Sequence, residues 1–326
     1  MPVLLSEQDV RIVLSMGDLI DAMEAALVRF SSREVVQPLR TVIEVGLQKA
    51  FIGVMPAFIP NPPALGTKIV SVFPSNAAAG LPTHLATIVL LDSMTGELLA
   101  IVDGRYITEA RTAAVSAVSV KLLARRDASS LAIIGSGVQA RSHLEAIGLA
   151  RNLSAVRVWS RNADNCVAFA REMQPRSSAP IIIARSAQDA VEGADLVVLA
   201  TASHDAVVRN EWIADGAHLC AVGACRPTHR EMDTALVSRA GLFVDSRTGA
   251  LAEAGDVVLP ITEGAFDQSH IAGELGEVAS GAISGRASQT EVTVFKSLGM
   301  AVEDITAAHL AYVKAAERGL GRGFVL

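Results

Sequence analysis

The chain has 326 residues, enough for two domains each with its own core. Hydrophobic residues make up 51% of it and charged residues 19%, yet the longest apolar runs, such as LATIVLL (85–91), are strand-length and fall far short of the roughly 20 residues of a membrane helix. The net charge of −6, with no basic block longer than Arg125-Arg126, excludes the basic face of a nucleic-acid binder. No basic segment followed by an apolar stretch opens the chain, so no secretory signal is expected. The three cysteines, Cys166, Cys220 and Cys225, are an odd number without framework spacing and suit a reducing cytoplasm. The apolar surplus is then expected in a sheet buried on both faces and in a subunit interface.

In chain order, residues 6–31 read as a helix: Met16, Leu19, Ile20, Met23, Leu27 and Phe30 recur at three- and four-residue spacing, and Ser6 with Asp9 resembles a capping box. Strand-like segments follow in RTVIEVG, AFIGVMPAF, TKIVSVFPS and LATIVLLD, punctuated by PNPPALG and AAAGLPTH. LLDSMTGELLAIVDG (90–104) reads as a hairpin around a Thr-Gly turn, and TEARTAAVSAVSVKLLARR as a helix ending near residue 126. After Asp127, short runs rich in Val, Ile, Leu and Ala alternate with helical stretches, the pattern of a doubly wound parallel α/β sheet covered on both faces. The closing stretch VFKSLGMAVEDITAAHLAYVKAAERG reads as one long helix that completes the N-terminal domain.

GSGVQA places Gly135, Gly137 and Ala140 in a G-x-G-x-x-A frame between the strand LAII and a helix. Gly135 permits the tight turn, Gly137 lets the backbone approach a pyrophosphate, and Ala140 lets helix and strand pack closely. A phosphate there meets unpaired N–H groups and the positive end of the helix dipole. A lone glycine motif is weak, but the strand–turn–helix context and the β/α units that follow favour a dinucleotide. The second strand ends in Ser160, Arg161 and Asn162 rather than in the carboxylate that an NAD ribose prefers, so NADPH is expected, with NADH as the alternative. Ser136, Val138, Gln139, Thr201 and Val222 complete the cofactor candidates on the turn and on later strand ends.

Nine stretches in order, PLRTV, FIGVMPAF, TKIVSVFPSN, EARTAAVSA, IIGSGVQA, VGACRPTHREMD, AGDVVLP, ELGEV and TVFKSLGMAVED, make the chain resemble the ornithine cyclodeaminase/mu-crystallin family along its whole length, nearest its ketimine reductase branch. The resemblance implies a homodimer of an α/β protein. Residues 1–115, completed by a C-terminal helix over 302–326, would form an α+β substrate-binding and dimerisation domain, and 116–301 a Rossmann domain. It implies that Arg40, Lys68 and Arg111 are substrate-carboxylate and active-site cations, and that Thr83, His84, Arg111, Ser297 and Leu298 lie near the nicotinamide half of the cofactor. The residues agree with this: three cations in apolar surroundings need an anion, no adjacent acid offers itself to Lys68, and a small α-carboxylate has the right size.

Two departures bear on the substrate. Gly53 stands where cyclodeaminases of the family carry Glu, and Cys225 where they and the related alanine dehydrogenases carry a catalytic Asp. Oxidising an amino acid needs a base to deprotonate its ammonium, whereas a cyclic ketimine can arrive already protonated. The expected activity is therefore NAD(P)H-dependent reduction of Δ1-pyrroline-2-carboxylate or Δ1-piperideine-2-carboxylate to L-proline or L-pipecolate. Lys68 is the candidate proton donor or electrostatic partner of the imine, its pKa expected to be lowered; Cys225 is either a weak donor or a small buried packing residue. Ornithine cyclodeaminase, alanine-type dehydrogenase and N-alkyl amino-acid synthase are the enzymatic rivals, and a small-ligand-binding protein is the rival from another class. Cys220, Cys225 and His229 fit no usual zinc frame, so no metal is expected, and His143 reads as a solvated or packed helix residue.

Overall fold

A computed structural model describes residues 1–46 and 50–325. The chain divides into two compact units, Met1–Arg111 with Met300–Leu326, and Thr112–Gly299. The sequence places these boundaries at 115/116 and 301/302; the first division, expected or observed, falls inside one helix, Arg105–Leu123, where no composition change marks it.

The first unit begins with β1 (Val3–Leu5), α1 (Glu7–Val13) and α2 (Met16–Ser31). The predicted single helix over 6–31 is thus two. Ser6 and Asp9 do form a capping box, but Leu14 is extended and Ser15 starts a new helix by accepting from Asp18 N. Then come β2 (Thr41–Val45), β3 (Ala50–Pro60), β4 (Pro63–Val72), β5 (His84–Leu91), β6 (Leu98–Asp103) and α3 (Arg105–Leu123). The predicted hairpin joins β5 to β6, with Gly96 at φ 76° and Asp92 N donating to Glu97 O. Strand alternation gives this sheet a buried face, which includes Met55, Ala57, Lys68, Val70, Ile88 and Val102, and an outer face on which Ile43, Ile69 and Leu85 are exposed.

The second unit alternates strands and helices: β7 (Ser130–Ile134), α4 (Val138–Ala150), β8 (Ala155–Trp159), α5 (Ala163–Met173), β9 (Ile181–Ile183), α6 (Ala187–Val191), β10 (Leu196–Leu199) and β11 (His218–Ala221). It continues through α7 (Thr234–Arg239), β12 (Gly241–Val244), α8 (Arg247–Glu253), α9 (Gly255–Thr262), β13 (Ile271–Glu274), α10 (Leu275–Ala279) and β14 (Thr293–Lys296). All eight strands are parallel, in the order β13-β12-β14-β11-β10-β7-β8-β9. The order reverses between β7 and β10, the switch point at which doubly wound sheets bind ligands. His143 is packed rather than solvated: its Nδ1 lies 2.7 Å from Gln139 O, which can only accept, so Nε2 is the acceptor for Ser116 Oγ at 2.9 Å.

The first unit closes with α11 (Ala301–Glu317) and β15 (Arg322–Gly323). Its sheet runs β15-β1-β6-β5-β4-β3-β2, and α11 packs on β3, β4 and β5. The long helix expected from Val294 is corrected here. Residues 293–296 are the central strand β14, buried between β11 and β12, and Gly299 at φ 81° interrupts the chain before α11. Asp245 Oδ2 accepts from Leu298 N at 2.6 Å and Gly299 N at 2.7 Å, fixing that break. Four apolar or amphipathic residues before a helical pattern carry no period that separates strand from helix. The predicted end of this helix at residue 326 lies outside the described residues; among those described, it ends at Glu317.

Candidate active site

In the first unit, β4 places Lys68 on the sheet's buried face, opposite Met55 on β3 and Ile88 on β5. Its side chain is 2% exposed, and its ammonium lies 2.5 Å from Asp304 Oδ2. The other carboxylate oxygen of Asp304 accepts from Arg111 Nε at 3.0 Å, and Glu303 Oε2 accepts from Arg111 Nη1 at 2.7 Å. One buried carboxylate therefore bridges two buried cations. Glu303 and Asp304 sit in the first turn of α11, where the helix dipole also favours their negative charge. The expectation that no acid approaches Lys68 is overturned: the acid comes from the C-terminal segment, far away in sequence.

Burial pulls the Lys68 pKa down to about 8; Arg111 and Arg40 add to the fall, while Asp304 opposes it. The lowering expected for a lysine between arginines in a dry pocket is present, with desolvation as its first cause. Burial alone would raise Asp304, but Arg111 and Lys68 hold it below the ordinary carboxylate range. Arg40, half-buried just before β2, belongs to the same electrostatic neighbourhood. His84, the first residue of β5, is held at about 4 by burial and by Lys68 and Arg111, so it is neutral at physiological pH. Thr83 beside it is exposed, with its carbonyl accepting from Phe73 N.

In the second unit, Gly135, Ser136, Ser160, Arg161, Asn162 and Thr201 line one cleft of about 220 Å³ at the carboxyl ends of β7, β8 and β10, together with Trp159. Gly135 has φ 119°, and a Cβ there would lie 2.4 Å from Ala200 O, so the turn requires glycine. In front of Gly137 nothing lies within 4 Å, while Ala140 is fully buried against the sheet. Val138 begins α4 and is exposed, and Gln139 Oε1 is a buried acceptor without a hydrogen-bond partner among the described residues. An open glycine and a helix N-terminus beside the cleft fit the phosphates of a dinucleotide.

Val222, Ser297 and Leu298 do not line that cleft. They are buried just beyond the ends of β11 and β14, where Ser297 Oγ has no hydrogen-bond partner among the described residues. Cys225 is exposed and donates to Val222 O at 3.3 Å, so the reading of it as a small buried packing residue is corrected; it is exposed although Val222 and Ala224 before it are buried. Cys166 and Cys220 are the buried thiols; Cys220 is pushed up to about 12 by burial and set against Ser119 and His218. Sequence reasoning missed four charged groups: Glu303 and Asp304, and in the second unit the buried Glu231 and Asp256, the latter paired with Lys296. The available signal was an acid with no stated role inside each matching motif, EMD, AGD and AVED.

The fold and these two sites define a nucleotide-dependent enzyme architecture, a doubly wound unit joined to a unit built around buried cations. Residues 1–319 match the ornithine cyclodeaminase/mu-crystallin family, and the chain belongs to it. It is 44% identical over 315 residues to mouse ketimine reductase mu-crystallin, covering 95% of this chain and 96% of that one. It is 37% identical over 318 residues to the Δ1-pyrroline-2-carboxylate reductase of Bacillus cereus, covering 97% and 98%. Among solved structures, the Thermococcus litoralis Δ1-pyrroline-2-carboxylate reductase in complex with NADH and L-proline superposes with a TM-score of 0.97 at 40% identity, covering 99% of this chain and all of that one. An archaeal alanine dehydrogenase dimer with bound NAD gives 0.94 at 28% identity, covering 99% of each chain.

If Asp304 is what makes two buried cations tolerable, Asp304→Asn should lower stability by about 3–5 kcal/mol in urea unfolding, because Lys68 loses its carboxylate partner and Arg111 is left with Glu303 alone. A loss under about 0.5 kcal/mol would show that the bridge contributes little.

Proposed function

We propose that the protein is an NAD(P)H-dependent reductase of cyclic ketimine carboxylates, converting Δ1-pyrroline-2-carboxylate or Δ1-piperideine-2-carboxylate to L-proline or L-pipecolate. The observation that carries this reading is Lys68 and Arg111 held by one buried carboxylate, beside a neutral His84 and within the field of Arg40. Arg111 and Arg40 grip the substrate carboxylate, for which a planar guanidinium is suited. Lys68, protonated below about 8, holds the proton that the imine nitrogen needs. When bound in the second unit, the nicotinamide supplies the hydride. The Thermococcus litoralis relative, whose structure holds NADH and L-proline, supports both the cofactor and the product class.

Arg161 in the cleft, with no carboxylate at the end of β8, favours NADPH through its 2′-phosphate, with NADH as the alternative. Cys225 gives an exposed thiol where cyclodeaminases and alanine dehydrogenases of the family carry Asp; this disfavours chemistry that begins by deprotonating an ammonium. A role limited to ligand binding is disfavoured by the buried Lys68–Asp304–Arg111 arrangement, costly for a protein that performs no chemistry. A reducing cytoplasm is the compartment that suits the three cysteines, none of them in a disulfide among the described residues. Homodimerisation through the first unit would cover the outer sheet face bearing Ile43, Ile69 and Leu85, and the dimeric alanine dehydrogenase supports it.

Absorbance loss of NADPH and of NADH with both cyclic imines, and with pyruvate plus ammonia as control, tests the activity: rapid turnover of an imine carboxylate is expected, and equal rates on the control would favour the dehydrogenase reading. The lysine's part is read from pH. Its protonated form is present below about 8 and lost above, so kcat/KM should fall as pH rises through that value, and Lys68→Arg should move this limb upward. A limb unchanged by the substitution would assign it to another group. For the dimer, Ile43→Glu should shift the species seen by sedimentation from dimer toward monomer; an unchanged mass would place the interface elsewhere.

A further inference from the structure

Three charged side chains of the second unit, Glu231, Asp256 and Lys296, are each at most 1% exposed and have no part in the chemistry above. They form a chain of attachments. Lys296 Nζ, at the end of β14, lies 3.1 Å from Asp256 Oδ2 at the start of α9. The other oxygen of Asp256 accepts from the backbone of Glu231 at 2.8 Å and of Met232 at 3.1 Å. The Glu231 carboxylate then ties together two strand exits: Oε1 accepts from Thr201 N at 2.6 Å and Thr201 Oγ1 at 2.8 Å, and Oε2 from Gly223 N at 2.7 Å.

Thr201 and Gly223 each lie two residues beyond their strands, β10 and β11, at the sheet edge where Thr201 lines the nucleotide cleft. The two exits approach so closely that a Cβ on Gly223 would lie 2.0 Å from Thr201 O and 2.5 Å from Glu231 Oε1. Closing a parallel sheet needs no buried carboxylate, and replacing such charges with apolar groups is often neutral or stabilising. Two acids and one lysine at this edge therefore ask for a reason beyond stability. We propose that Glu231 is a positioning residue for the dinucleotide, setting the exits of β10 and β11 so that Thr201 and the loop over 222–225 are pre-arranged to receive it. This rests on the reading that the cleft holds NAD(P)H.

A neutral side chain of the same shape should be tolerated by the fold. Burial, with help from Asp256, already raises the Glu231 carboxyl to about 7 against the pull of Lys296, and Glu231→Gln leaves the Asp256–Lys296 pair balanced. The amide would, however, turn an N–H toward Gly223 N–H and release that exit. Nucleotide affinity is measured by quenching of the fluorescence of Trp159, which lines the cleft, and stability by the thermal midpoint without nucleotide. Glu231→Gln is expected to raise the Kd for NADPH about tenfold and Thr201→Val about threefold, with midpoints within about 2 °C of wild type. The KM for NADPH should rise likewise while the KM for the imine stays within about twofold. Unchanged Kd values in both variants would overturn the proposal, as would weaker binding that only tracks a fall in midpoint; if Glu231→Gln does not fold, Thr201→Val decides alone. Tight NADPH binding by wild type without imine turnover would sink the ketimine reading and leave this one standing, whereas no binding of either nucleotide would remove both.

Discussion

The bridge from Lys68 through Asp304 to Arg111 is the constraint on which the first unit is built. Two cations beneath a helix, away from water, would repel each other and pay a desolvation cost of several kcal/mol each, and two carboxylates offset them: Asp304 turns one oxygen to each cation and Glu303 takes Arg111. The geometry follows from the strand period, which turns Lys68 to the buried face of β4, and from α11, whose first turn brings Glu303 and Asp304 over that face. The acids thus hold the cations in place before any substrate arrives. Pre-organisation of this kind is what a site needs in order to bind a small anion in one orientation.

The second unit solves a related problem with main chain instead of charge. Its phosphate cradle is a strand exit, a glycine that no other residue can replace and a helix N-terminus, and its specificity is carried by what stands after the next strand. Besides Arg161 in the cleft, charged groups stand behind this edge, where Glu231 and Asp256 accept from backbone N–H groups that would otherwise be left without partners. Both units therefore use buried carboxylates as fasteners, one for side chains and the other for strand ends.

Much of this was readable in the sequence because it depends on local pattern. The glycine turn, the alternation of apolar strands and helices after Asp127, the capping box at Ser6 and the hairpin around Gly96 all depend on residues a few positions apart, and each is present. What escaped was non-local. Asp304 lies 193 positions from Arg111, so no spacing rule links them, and the apparent lack of an acid beside Lys68 reflected distance along the chain rather than in space. Val294 and Phe295 merged into a helical reading because a buried central strand four residues long has no distinctive period. Cys225 reads as buried because thiols usually are, whereas it is exposed on a loop whose neighbouring Val222 and Ala224 are buried.

The account's central claim is that the buried cations recognise an anionic carboxylate on the substrate. It is tested most directly by comparing kcat/KM for Δ1-pyrroline-2-carboxylate with that for the same ring imine lacking the carboxylate. A ratio of about a hundredfold or more is predicted for the wild type, the worth of a buried charge-assisted pair, shrinking toward unity in Arg111→Gln. Equal reduction of both imines by the wild-type protein would contradict the account.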